Sequence, residues 1–294
     1  MKHFPLLQKD NWFWLALQWR GSVIPEVLPR SLLCGLFAYL VYLLHVANFR
    51  VHLPILGSLI SNIVLGLLLV FRTNTAYERF WEGRKAWGTL VNTVRNLSRQ
   101  ILVAVEEHDY SDRQSKLAAV KLLPAFAIAL KLHLRAESPN AELAANISPA
   151  QFDRLQNTNH PPLEIAYWIS SYLQTQFQKQ KLDRYQLHDM TQLLHYMVDV
   201  VGICERILKT PIPLAYSIHL KQLLMIYCFS LPFQMVDQLE WMTGIVVALI
   251  SFTLLGIEEI GIQIEDPFGH DPNDLPLDQI CKAMIRNIDD LTTI

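Results

Sequence analysis

The stretch from Val51 to Gly88, VHLPILGSLISNIVLGLLLVFRTNTAYERFWEGRKAWG, changes character at a single residue. Between Val51 and Phe71 it holds no Asp, Glu, Lys or Arg. At a helical rise of about 1.5 Å per residue this run reaches across a hydrocarbon core of roughly 30 Å. From Arg72 onward it becomes charged and aromatic. Arg72, Glu78, Arg79, Glu82, Arg84 and Lys85 alternate with Tyr77, Phe80, Trp81 and Trp87, and no Pro or Gly interrupts them before Gly83. One helix leaves a bilayer here and continues into water, so the chain must be a helical membrane protein with a substantial part outside the lipid.

The bulk numbers agree. The 294 residues are 51% hydrophobic and 18% charged, and the charged share falls below the roughly one quarter usual in soluble domains. A net charge of −2 leaves no basic surplus to neutralise phosphates, so nucleic acid is excluded as a partner. Cys34, Cys204, Cys228 and Cys281 form no CxxC pair, and they read as buried free thiols rather than a disulfide framework or a zinc site.

The N-terminus lacks an apolar run of signal-peptide form. Trp12, Phe13, Trp14, Leu15, Leu17 and Trp19 beside Lys9 and Arg20 suit an interfacial segment, or equally an amphipathic helix packed on protein. Arg30 and Arg50 bracket a first membrane helix, SLLCGLFAYLVYLLHVANF, and Val51 to Phe71 forms a second. Residues 89 to 210 have soluble composition. Leu90, Val94, Leu97, Ile101 and Val105 extend the emerging helix to about Glu106. Helices follow over Lys116 to Arg135, with Pro124 ending or kinking the first turn, near Pro149 to Leu155, over Leu163 to Gln180 and over Tyr185 to Leu208. His188 and His195 sit two helical turns apart, but no third ligand is in register. Thr210-Pro211-Ile212-Pro213 breaks the helical pattern. A third membrane helix begins near Leu214, an acidic turn lies at Asp237 and Glu240, and a fourth helix runs from Trp241 to Ile257, with Glu258 and Glu259 marking its exit.

This reading divides the chain into an N-terminal interfacial and cytoplasmic segment (1–30), membrane helices one and two (31–71), a cytoplasmic helical region (72–213), membrane helices three and four (214–257) and a cytoplasmic C-terminal segment (258–294). The fold class is an all-α membrane protein with four transmembrane helices. Lys2, Lys9, Arg20, Arg30, Arg72, Arg79, Arg84 and Lys85 fall on one side and Arg50, Asp237 and Glu240 on the other, so the positive-inside rule puts both termini in the cytoplasm of a multi-pass cell-membrane protein. No Gly-rich phosphate loop, Ser/His/Asp signature or metal-spaced cluster is present, and Glu78 and Glu82 lie among Arg79, Arg84 and Lys85 as structural ion pairs. The chain is expected not to be an enzyme and to need no cofactor.

The run Phe71-Arg72-Thr73-Asn74-Thr75-Ala76-Tyr77-Glu78-Arg79-Phe80-Trp81-Glu82-Gly83-Arg84-Lys85-Ala86-Trp87-Gly88 resembles the bestrophin family, in particular its prokaryotic branch. Trp19-Arg20-Gly21-Ser22, Thr210-Pro211-Ile212-Pro213-Leu214-Ala215-Tyr216, Glu265-Asp266-Pro267-Phe268-Gly269 and Asn273-Asp274-Leu275-Pro276-Leu277 resemble it in the same order, across nearly the whole chain. The resemblance implies a homopentamer around a central pore in the bilayer. Ile63, Leu67 and Phe71 would form the apolar rings of its neck, and Ile212 a second constriction, the aperture. The resemblance also implies conduction of small monovalent ions, chloride or other anions foremost. Monovalent cations such as sodium are the alternative, since the family holds both kinds, and a carrier for a bicarbonate-like anion is a third reading. By periodicity alone, Leu59, Ile63, Leu67 and Phe71 form one stripe, as every membrane helix has, while Ser58, Asn62 and Gly66 form a small and polar stripe suited to close packing. Animal members clasp calcium with an acidic run in the tail. Here Asp271 and Asp274 stand at the matching carboxylate positions and Gln263 and Asp266 at the carbonyl-donating ones, with Pro272 and Asn273 breaking the run; turn capping is the other role open to these aspartates.

Overall fold

A computed structural model describes residues 17–51 and 59–293. The expected interfacial tryptophans Trp12 and Trp14, and the first hairpin connection from His52 to Ser58, lie outside the described residues. The regular structure among the described residues is all helix, with no strand: α1 (Ile24–Val46), α2 (Leu59–Ala104), α3 (Tyr110–Leu134), α4 (Ala141–Ala144), α5 (Pro149–Gln156), α6 (Pro161–Gln178), α7 (Arg184–Lys209), α8 (Leu214–Leu239), α9 (Thr243–Glu265) and α10 (Leu277–Thr292), with a 3-10 turn at Glu240–Met242. The chain forms two compact units, the first of Met1–Glu78, Ile212–Glu265 and Asp271–Asn273 and the second of Arg79–Pro211, Asp266–His270 and Asp274–Ile294.

In the first unit α1 packs along α9 and against α8. Small residues set the closest approach. A Cβ added to Gly35 would lie 2.8 Å from the Ala248 Cβ and 2.9 Å from the Gly244 carbonyl oxygen, so only glycine fits. Cys34, Ala38, Cys228, Leu231 and Val247 complete this small core. The outer faces are apolar and exposed, as at Leu32, Leu33, Leu36 and Leu40 on α1. The helix that carries the fourth expected span is longer than the span, running from Thr243 to Glu265. Glu258 and Glu259 are both buried inside α9, and Arg30 donates to Glu259 Oε2 at 3.0 Å. A paired carboxylate can stay within a helix, so the helix itself continues beyond these two residues to Glu265.

The second unit is built around α3, which packs against α6 and α10. It starts at Tyr110, six residues before Lys116, because Asp109 caps it by accepting the Asp112 N–H. Pro124 therefore lies mid-helix and does not end a first turn. Its cost of about 3 kcal/mol is outweighed by burial, since every residue from Leu122 to Leu132 is buried. Capping boxes at Ser148/Gln151 and Asp183/Gln186 start α5 and α7. Helix α10, not foreseen from the sequence, buries Leu277, Cys281, Met284 and Ile288 on one face.

Candidate functional site

The membrane-proximal half of α2 presents two faces. Leu65, Leu69, Arg72 and Ala76 recur at intervals of four, three and four and are buried. The two leucines pack with Leu220 and Leu224 of α8. Ile63, Leu67 and Phe71 form the other stripe, with 52%, 51% and 60% of their surface exposed. Among the described residues this apolar stripe stays half exposed or more, as a residue lining a pore would be. Asn62 is exposed and a Cβ on Gly66 would meet nothing within 4 Å, so among the described residues these two positions of the small, polar stripe make no close contact; Ser58 is not among the described residues.

Arg72, directly after Phe71, is 4% exposed, and its guanidinium bridges two elements. Nη1 donates to the Ser217 hydroxyl on α8 at 3.1 Å and Nη2 to Glu265 Oε2 on α9 at 2.6 Å. The other Glu265 oxygen accepts the backbone N–H of Ile212 at 2.9 Å. One carboxylate thus ties the end of the exposed α2 stripe to the Pro-flanked residue expected to form the aperture. Such a charge-assisted double acceptor fixes both partners more firmly than neutral hydrogen bonds do. The Tyr216 hydroxyl adds a bond to the Leu68 carbonyl oxygen at 2.7 Å. Sequence reasoning missed Arg72, Tyr216, Ser217 and Glu265 as a set. The only available signal was a buried-stripe periodicity that ends on an arginine.

In the second unit the charged half of α2 supports the end of α7. The Arg79 guanidinium donates to the Ile207 and Thr210 carbonyl oxygens, satisfying acceptors that a helix end leaves open, and Glu82 pairs with Arg206. The partner of Glu82 is therefore on α7, not among its α2 neighbours. In the tail, Asp266 accepts the Phe268 N–H at 3.3 Å, a turn-capping role, and the Asn273 amide donates to Gln263 Oε1 at 2.8 Å. Gly269 makes way for the Asp274 carboxylate, whose Oδ2 would lie 2.7 Å from an added Cβ. Asp271 belongs to the first unit and Asp274 to the second. Among the described residues, His188 and His195 join no group of three metal-capable side chains. The four cysteines are buried and unbridged. Burial, reinforced by Glu82, pushes the Cys204 thiol up to about 12, far from a reactive thiolate.

Long apolar helices mark a helical membrane protein, and the family and the relatives it matches are those of a channel, not an enzyme. The family described as Bacterial/Fungal Bestrophin protein matches residues 6–290, and the chain belongs to it. A voltage-dependent anion channel-forming protein of Nostoc sp. is 60% identical over 286 residues, covering 97% of this chain and 93% of that one. A second, from Synechocystis sp., is 54% identical over 289 residues, covering 98% and 94%. A point variant of a bacterial bestrophin homolog from Klebsiella pneumoniae, solved by crystallography, superposes with a TM-score of 0.84 at 29% identity, covering 94% of this chain and 100% of that one.

Proposed function

We propose that this protein is a homopentameric channel of the cell membrane that conducts chloride or similar small anions, with a neck formed by Ile63, Leu67 and Phe71 and an aperture at Ile212. The observation that carries the reading is the exposed apolar stripe on α2, backed by the Arg72–Glu265–Ile212 relay. An apolar ring conducts when slightly wider and dewets when narrow, so five copies of this stripe suit a gate. On this reading α1, α2, α8 and α9 are four spans and both termini lie in the cytoplasm. Of these, α1 and the α8–α9 stretch are each long and apolar enough to cross a bilayer. The relatives named as anion channel-forming favour anions; the stripe itself says nothing about the sign of charge. Residues 72–213 would form the cytoplasmic region, and Asp271 and Asp274 would offer carboxylates to calcium.

Planar-bilayer recording of the reconstituted protein tests this. Currents should rise when Ile63, Leu67 and Phe71 are replaced by alanine, and silence in every salt would overturn the reading. Reversal potentials under separate gradients of sodium chloride and sodium gluconate, with and without calcium, distinguish anion from sodium conduction and reveal any calcium effect. Saturable flux without unitary steps would indicate a carrier. Light scattering of the purified protein should give five chains per particle.

A further inference from the structure

Away from the neck and tail, the second unit brings together three side chains that are distant in sequence. His133 lies in the last turn of α3, His160 caps the start of α6 and Glu205 lies on α7. His133 Nε2 is 2.7 Å from Glu205 Oε1, and His160 Nε2 is 3.4 Å from the same oxygen. The imidazoles lie against each other, with centroids 4.6 Å apart and a tilt of 33°. All three ligand atoms fall within 4.8 Å of one another. We propose that His133, His160 and Glu205 form a binding site for a divalent transition metal, with Zn2+ as its natural probe.

The chemistry and the spacing agree. Two imidazoles and one carboxylate are a ligand set that zinc takes, with water in the fourth position, and tetrahedral zinc holds its ligands about 3.3 Å apart. The present separations bracket that value, so side-chain shifts alone complete the geometry. The three groups are partly exposed, at 21%, 33% and 22% of their side-chain surface, which leaves a route for the ion and room for the water. A merely structural ion pair needs one histidine on the carboxylate; here a second converges on the same oxygen. Lys209 also approaches that oxygen, at 3.2 Å, but its side chain is 66% exposed and the pair is an i,i+4 surface contact that yields easily.

One feature of the fold opposes the metal, and it supplies a signature. His160 Nδ1 accepts the Leu163 N–H at 3.2 Å and so caps α6. Zinc on Nε2 moves the ring proton to Nδ1, where it faces that N–H and cancels the bond. One capping bond is a small loss against three ligand bonds. Metal loading should therefore speed hydrogen exchange at the start of α6 while slowing it at the end of α3.

The test is calorimetric titration of the tag-free protein in detergent with Zn2+. One ion per chain is expected. His133→Gln, Glu205→Gln and His160→Asn should each weaken binding by about 100-fold, given that even a ligand's supporting partner is worth up to that much. His160→Asn is the decisive variant, because asparagine caps a helix well and the protein should melt as the parent does. Absence of binding by the parent, binding unchanged in all three variants, or binding lost only in His188→Ala and His195→Ala would overturn the site.

Discussion

Helices α1 and α3 are both long and apolar enough to cross a membrane, yet 33% of the apolar window of α1 is buried within the chain against 78% of that of α3. Mean hydropathy does not separate them; the placement of charge does. From Ser31 to Val46, α1 holds no Asp, Glu, Lys or Arg, and its exposed leucines fit lipid. Helix α3 carries Lys116 and Lys131 within its apolar length, both buried, and each meets acids from neighbouring segments. Lys116 Nζ lies 2.7 Å from Glu107, while Lys131 Nζ lies 2.5 Å from Glu142 and 2.7 Å from Asp278. A buried lysine is tolerable only with such partners, so it marks a helix that will be wrapped by protein.

The sharpest way to break this comparison is to delete apolar volume from each helix. Phe126→Ala, at a fully buried site in α3, should cost about 4 kcal/mol in denaturant titrations of the detergent-solubilised protein. Leu36→Ala in α1, at a position 58% exposed, should cost under about 1 kcal/mol. Equal losses would mean that protein covers the outer face of α1 as well. Exchanging charge instead of volume gives a smaller reciprocal effect. Leu40→Lys on the exposed face of α1 should disfavour membrane insertion by about 3 kcal/mol, read from the inserted fraction in a translocation assay. Lys131→Met should destabilise the second unit by about 2 kcal/mol, less than for a fully enclosed pair because Asp278 is half exposed to water.

Much of this was legible in the sequence, for identifiable reasons. The α2 run from Leu90 to Ile101, the break at Pro211 and Pro213, and the helix starts at Leu214 and near Arg184 follow from periodicity, proline chemistry and caps, which are local. What stayed hidden depends on distant partners. The burial of Glu258 and Glu259 could not be read locally, because Arg30, the partner of Glu259, is far away in sequence. The His133–His160–Glu205 cluster escaped a search for ligands at helical spacing because its members come from three helices. Helix α10 is different: its apolar positions at Leu277, Cys281, Met284 and Ile288 were readable. The Ile63, Leu67 and Phe71 stripe sits between these cases. Its periodicity was plain, while its exposure needed the fold.

Acid should separate α3 from α1 by the smallest but most selective effect. The hydrogen bond from Lys131 pulls the Asp278 carboxyl down to about 2, against opposing desolvation, and Arg135 adds to the pull. On Lys131, burial disfavours the charge, but its bonds to Asp278 and Glu142 prevail and its pKa is raised. A carboxyl with a lowered folded-state pKa contributes stability above its ordinary titration range and loses it as pH falls. The window therefore runs from about pH 4 down to about pH 2, and the loss is about 1 kcal/mol once the half-exposed carboxylate is discounted for screening. Asp278→Asn should cost that amount at neutral pH and converge with the parent near pH 2. Asp112, also held at about 2 by its hydrogen bonds to Lys181 and the His108 backbone, should leave the variant a residual acid response. Hydrogen exchange followed by mass spectrometry reads the two helices separately. Amides of α3 and α10 should lose protection through this window, and those of α1 from Ser31 to Val46, which holds no acid to protonate, should not. Parallel loss in both would show that the two units unfold together, so that the charged partners of α3 protect α1 as well.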